Sequence, residues 1–291
     1  MMDRGRPLPA GPVVNDGRPT YDCSGDQPVD FRWSDPQDDY LVKLRAECPL
    51  SVRMLAERDE LATVAALCTW VHRLWNHSGS DEASADDPIS IIRQARVGRS
   101  FRCVEYAAVL GGCLNAFGVR ARTIALKKRD VETAVSEAGH VANEAYLASS
   151  HRWVFLDGQF NFIAWLDDGP LNAVELRIAL DEGRDVCNSG AVQIGLADYL
   201  TWLKQYLFYM DVRLDNRLGV ADRSTHGLML VPIGANRPTI MQRRWLIEEM
   251  TYTHSLRTFY PVPDRGAEAR FFAPPHTGVG TQASSGHVEG R

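Results

Sequence analysis

Three side chains in this sequence, Cys103, His140 and Asp157, have the types needed for nucleophilic acyl chemistry. A thiol attacks carbonyls well only as the thiolate, and free cysteine loses its proton near ~8.5. A neighbouring imidazole can accept that proton, and a carboxylate can fix the imidazole tautomer and stabilise its cation. Such a set would attack an amide or ester carbonyl and form a thioester, then return a proton to the leaving amine.

The predicted elements place these residues suitably. Residues 103–117, CVEYAAVLGGCLNAF, have helical patterning, with Val104, Ala107, Ala108, Leu110 and Leu114 as the apolar side and Gly118 as the stop. Cys103 therefore starts a helix, where unpaired N–H groups favour a thiolate. Gly111 and Gly112 lower helix propensity, so close approach of another backbone is expected there, with the helix central. After Gly118 the period becomes two. VRARTIAL (119–126), HVANEAYL (140–147) and RWVFLD (152–157) read as strands, the last two joined by ASSH. A turn centred between Ala148 and Ser149 pairs His140 with Asp157 directly across the hairpin. The turn lacks Asn-Gly, so a slip of a residue or two is allowed, which leaves the pair in diagonal reach.

The runs GRSFRCVEYAAVLGGCLNAFGVRAR, GHVANEAYL and RWVFLDGQFN resemble the transglutaminase-like superfamily, cysteine enzymes with papain-like Cys-His-Asp sites. The resemblance rests on aromatic-x-Cys at a helix start, Gly-Val-x-Ala-Arg after it, Gly-His-x-x-Asn-Glu, and Trp-x-x-x-Asp. It spans about residues 55–165. It implies Cys103 as nucleophile, His140 as general base and Asp157 as the group orienting the histidine. The element order itself, a helix followed by three strands, suggests an α+β fold with a helix packed on an antiparallel sheet, and the apolar runs after residue 210 suggest C-terminal strands extending it. Family members often carry an aromatic residue two positions after the histidine. Here it is Ala142, which would widen the cleft beside the imidazole. With no C-x-x-C pair and no calcium-cage loop, neither a zinc module nor calcium gating is expected, and no cofactor or metal is implied.

The elements around this core are also readable. Residues 59–77 pattern as a helix capped by Asp59, with Leu61, Val64, Leu67, Cys68, Val71, Leu74 and Trp75 on one face. His72 and His77 read as partly solvated helix residues. Asp87-Pro88 starts a short helix. DYLTWLKQYLFYM (198–210) reads as an aromatic helix, either a core helix or a wall of the substrate pocket. LMLVPI, RRWLIEEM and TFYPVP look like further strands. Four regions are expected: an extended Pro-rich arm (1–40), a catalytic core (41–200), a C-terminal helix and strands (201–273) and a disordered tail (274–291).

Composition narrows the partners. The 291 residues carry a net charge of −5, which argues against nucleic acid. No apolar run approaches the ~18 residues of a membrane span. The six cysteines are too sparse for a disulfide scaffold, and most, Cys113 included, read as buried and inert. With no secretory pattern at the N-terminus, a cytoplasmic location is expected. Asn161 and Gln159 read as turn residues, His151 likewise. Arg102 and Arg122 are balanced between cleft lining and ion pairing. The Cys103 N–H would hold the oxyanion with one more donor, Gln94 or Ser100 being candidates. The expected activity is acyl transfer from an amide, a peptide or glutamine-like side chain. The acceptor is water (a protease or amidase) or an amine (an acyltransferase). The partners are thus a peptide, protein or small amide substrate and a possible amine acceptor. The competing reading is a catalytically inactive scaffold domain of the same fold.

Overall fold

The computed structural model describes residues 18–23, 29–49, 59–85, 87–167, 169–189 and 195–263. Among the described residues the helices α1 (Asp39–Glu47), α2 (Glu60–His72), α3 (Pro88–Arg96) and α4 (Cys103–Ala116) come first. Asp59 caps α2 by accepting the Ala62 N–H at 2.6 Å, and Asp87 caps α3 from Ser90 at 3.1 Å. Helix α2 stops at His72, short of the expected 77, yet Val64, Leu67, Cys68, Val71 and Trp75 are all buried as patterned. Helix α1 was not foreseen in the sequence.

Strands β1 (Ala121–Lys127), β2 (Gly139–Leu147), β3 (Arg152–Asp157) and β4 (Phe162–Leu166) form consecutive antiparallel pairs. After β5 (Gly169–Pro170) come α5 (Ala173–Asp181), β6 (Cys187–Asn188) and α6 (Leu196–Lys204). Strands β7 (Tyr209–Arg213), β8 (Gly227–Leu230) and β11 (Met250–Thr253) add to the free edge of β1, so one sheet runs β11-β8-β7-β1-β2-β3-β4-β5, with β6 on β4. β9 (Ile240–Met241) and β10 (Trp245–Leu246) pair separately. The architecture is α+β, and among the described strand pairs of the large sheet only β11–β8 is parallel. The TFYPVP segment is not a strand: Ser255 caps a helical turn, α7 (Leu256–Phe259), through the Thr258 N–H. The aromatic helix also ends early, and Tyr209 starts β7 instead.

Described residues of the arm touch the rest of the fold at separate points: Asp22 bridges Ser255, Arg32 bridges Asp215, and Trp33 Nε1 donates to the Ala121 carbonyl at 2.9 Å. Residues 1–17, 24–28 and the expected tail from 274 lie outside the described residues. Among the described residues, no helix is long and apolar enough to cross a membrane.

The sheet is packed on both faces. Alternation puts Ala145, Val154, Leu156 and Ile163 against α1–α4, and Ala142, Phe155, Phe162 and Ala164 against α5 and α6. Helix α4 is central and buried almost all round, but Val104, expected on its apolar side, is exposed. A Cβ on Gly111 would sit 2.8 Å from Asn143 Nδ2, so glycine is what lets α4 lie on β2. The close neighbours of Gly111 and Gly112 are side chains, Asn143 and Pro88, rather than the expected backbone.

Arg122 is not in a cleft. Its Nε and Nη2 donate to Glu144 Oε2 at 3.1 and 2.7 Å, Nη1 donates to the Phe259 carbonyl, and both side chains are 0% exposed. Glu144 Oε1 accepts from the Ala173 N–H and the Tyr260 hydroxyl, each at 2.9 Å. This pair ties α5 and α7 to the sheet. Removing one partner strands a buried charge. Glu144→Ala should therefore cost about 3–5 kcal/mol in urea unfolding, and the Arg122→Met/Glu144→Leu double variant clearly less. Equal losses in the two would contradict the assignment.

Candidate active site

The β2–β3 register is shifted two residues from direct opposition of His140 and Asp157. Leu147 pairs with Arg152, leaving a four-residue loop, so Ala142 lies across from the Asp157 position. The shift preserves the face, because side chains alternate with period two. His140 and Asp157 meet diagonally, Nε2 to Oδ2 at 2.7 Å.

Asp157 is 1% exposed and saturated with donors. Oδ1 accepts the N–H of Gln159 at 3.0 Å and of Phe160 at 3.4 Å. Oδ2 accepts from His140 and from the Tyr199 hydroxyl at 2.9 Å. The turn supplying the backbone donors is clamped by α2 from behind. His72 Nδ1 meets the Gln159 carbonyl at 2.9 Å, and the Thr69 hydroxyl donates to Asn161 Oδ1 at 3.1 Å. Asn161 holds a left-handed backbone, φ 49°, and serves the turn. Gln159 serves the turn through its backbone, its N–H on Asp157 and its carbonyl on His72. His72 is thus a structural clamp, while His77 sits exposed beyond the helix. His151 occupies the β2–β3 turn with φ 55°.

Cys103 is the first residue of α4 and is half-buried. Phe101, just before it, is fully buried against Trp75, and its carbonyl accepts the Ser78 N–H at 2.9 Å. Glu105 Oε2 accepts the Arg102 N–H at 3.1 Å and closes the helix start. Arg102 pairs with Glu105 and Glu82, so its guanidinium serves this scaffold. The Cys103 N–H is among those a helix start leaves without an intrahelical acceptor. Gln94 is committed elsewhere, donating to the Ser90 carbonyl and accepting from Ser84 and Arg99. Ser100 is half-buried three residues before the cysteine.

The Cys103 side chain lies close enough to His140 to act on its protonation. With Nε2 on Asp157, Nδ1 is the nitrogen left for the sulfur. Burial works against the imidazolium, but the Asp157 charge and hydrogen bond, with a further contribution from Cys103, win and push the His140 pKa up to about 9. The three residues singled out by the sequence are brought together.

Aromatic side chains close around the imidazole. Ring centroids of Trp202, Tyr206 and Phe160 lie 4.9, 6.1 and 6.3 Å from that of His140. Ala142 is buried in the same cluster as Tyr199, Leu203 and Tyr206, so its small size does not widen the cleft. Sequence reasoning missed Tyr199 as a partner of Asp157. The signal was present: Tyr199, Trp202 and Tyr206 fall on one helical face at steps of three and four. On the opposite side of the sheet, a groove of about 330 Å³ runs between α4 and β1/β7. Val104 and Val141, chain neighbours of Cys103 and His140, help line it.

Residues 50–158 match the family model of the transglutaminase-like superfamily. Over this span, less than half of its length, the chain is similar to that superfamily. The match holds Cys103, His140 and Asp157 together. No curated protein matches the chain in sequence. Solved structures that are similar in part include three. A candidate cysteine protease from Cytophaga hutchinsonii aligns at 15% identity and TM-score 0.29, over 42% of this chain and 43% of its own. A TGase aligns at 16% identity and TM-score 0.29, over 42% and 31%. Red sea bream transglutaminase aligns at 14% identity and TM-score 0.33, over 60% and 33%. The chain spans less than half the length of each. The transglutaminase-like resemblance rests on the family match over residues 50–158.

Two predictions follow from the raised His140 pKa and its support. A histidine whose folded pKa exceeds the unfolded value, ~6.5, stabilises the fold fully below that value. That stability is lost as pH rises through about 9. Urea unfolding should show this decline in the wild-type chain, and His140→Gln should flatten it. Tyr199→Phe removes one donor from Asp157, and should cost about 1–3 kcal/mol while raising the His140 pKa further, read from the imidazole NMR titration. An unchanged titration would mean that the hydroxyl does not reach Asp157 in solution.

Proposed function

We propose that the protein is a cysteine-nucleophile acyl-transfer enzyme of the transglutaminase-like kind, acting on an amide of a peptide, protein or small molecule. The reading is carried by one observation: a single buried imidazole that is hydrogen-bonded to a saturated carboxylate and lies beside a half-buried helix-start thiol. In the first step the Cys103 sulfur bonds to the carbonyl carbon. His140 takes the thiol proton and then gives it to the departing nitrogen as the C–N bond breaks, leaving a thioester. Asp157 holds the ring and balances its charge throughout. The Cys103 N–H, at the positive end of α4, faces the developing oxyanion. In the second step His140 deprotonates water or an amine, which attacks the thioester and releases the sulfur. Water gives a hydrolase and an amine gives an acyltransferase. The groove that begins at Val104 and Val141 is a place for the substrate chain beyond the reacting bond.

Incubation with p-nitrophenyl acetate and acid quench tests the reading by intact and peptide mass. The expected outcome is an acetyl adduct on Cys103. It should be absent in Cys103→Ala and form at least ~10²-fold more slowly in His140→Ala. Adding an alkylamine then separates the acceptors by the product, acetate or N-alkylacetamide. Adducts spread over the exposed Cys23 and Cys187, at rates indifferent to His140, would favour the inactive scaffold.

A further inference from the structure

Two cysteines outside the site stand together. Cys48, at the C-terminal cap of α1, and Cys113, in the middle of α4, have their sulfurs 3.5 Å apart although 65 residues separate them in sequence. Close helix packing produces this. A Cβ on Gly112, next to Cys113, would lie 3.2 Å from Leu44 Cδ2 of α1 and 2.7 Å from the Pro88 ring of α3. The two thiols differ in access: Cys48 is half-buried and Cys113 fully buried. From the geometry we infer that Cys48 and Cys113 are a redox-modification site, a thiol pair that closes to a disulfide joining α1 to the helix that carries Cys103.

The chemistry balances with a small-molecule disulfide as oxidant. The Cys48 thiolate attacks it, forming a mixed disulfide and releasing one small thiol. Cys113 then loses its proton and attacks the Cys48 sulfur, releasing the second thiol. Two electrons pass to the oxidant and one S–S bond remains in the protein. The sulfurs must move from 3.5 Å to the ~2.05 Å of a bond, within reach of side-chain rotation. The order of attack follows from access. The hydrogen bond to Cys48 and burial hold the Cys113 thiol protonated, so it cannot be the first to react. The closed loop contains α2, α3 and the start of α4, so the bond would restrain the unfolded chain around the whole helical layer. None of this depends on the proposed catalysis.

The test treats the folded full-length chain, without denaturant, with oxidised glutathione. N-ethylmaleimide then blocks free thiols before non-reducing digestion and mass analysis. The expected product is a peptide pair linking Cys48 to Cys113. It should form equally in Cys103→Ala, be absent in Cys48→Ser, and come apart on reduction. The oxidised wild-type chain should melt several degrees higher than the reduced chain. Glutathione left on Cys48 with Cys113 free as the end state would overturn the inference, as would linkage of either residue to another cysteine. Detection in the wild-type chain does not depend on how well the variants fold.

Discussion

Everything at the site depends on one buried carboxylate. Asp157 is withdrawn from water, and a carboxylate there is tolerable only if its lone pairs are filled and its charge answered. Two backbone N–H groups, a tyrosine hydroxyl and the imidazole do this. The imidazole is the one partner among them that can carry the compensating charge. His140 is itself only 3% exposed, so each group supplies the other with the counterion that burial removed. The result is a ring fixed in direction and inclined to stay protonated, with one nitrogen free to face sulfur.

The fold exists, on this view, to hold that pair still and bring a thiol to it. Helix α2 braces the β3–β4 turn through His72 and Thr69, which keeps the backbone donors aimed at Asp157. Helix α6 brings Tyr199 and Trp202 over the other side. Helix α4 is positioned by both ends. Phe101 and Glu105 pin its start, and Asn115 near its end exchanges hydrogen bonds with Ala121 at the head of β1. Cys103 is thereby placed at the edge of a rigid layer and remains partly open to solvent.

Much of this was legible in the residues, for local reasons. Caps and breakers at Asp59, Asp87-Pro88 and Gly118 write helix limits directly into the sequence, and alternation marked β1 to β3. The Cys-His-Asp order then pointed to a common site. What was missed depended on distance or on weak turn chemistry. ASSH carries no residue that forces one hairpin length, so the two-residue slip could be allowed but not chosen. Tyr199 meets Asp157 only because α6 docks across the sheet, 42 residues along the chain. Helix α5 had a readable signal, Asn172 and Glu175 in a capping box, that went unused. The cysteines were expected mostly inside, yet Cys23 and Cys187 are exposed, because composition says little about individual burial.

The rate of iodoacetamide alkylation at Cys103, followed by peptide mass against pH, probes the heart of this account. If His140 and Asp157 hold a thiolate–imidazolium pair, alkylation of Cys103 persists well below the ~8.5 midpoint of a free thiol, and Asp157→Asn or His140→Ala moves the midpoint upward. A wild-type midpoint at the free-thiol value, unmoved by either substitution, would contradict it.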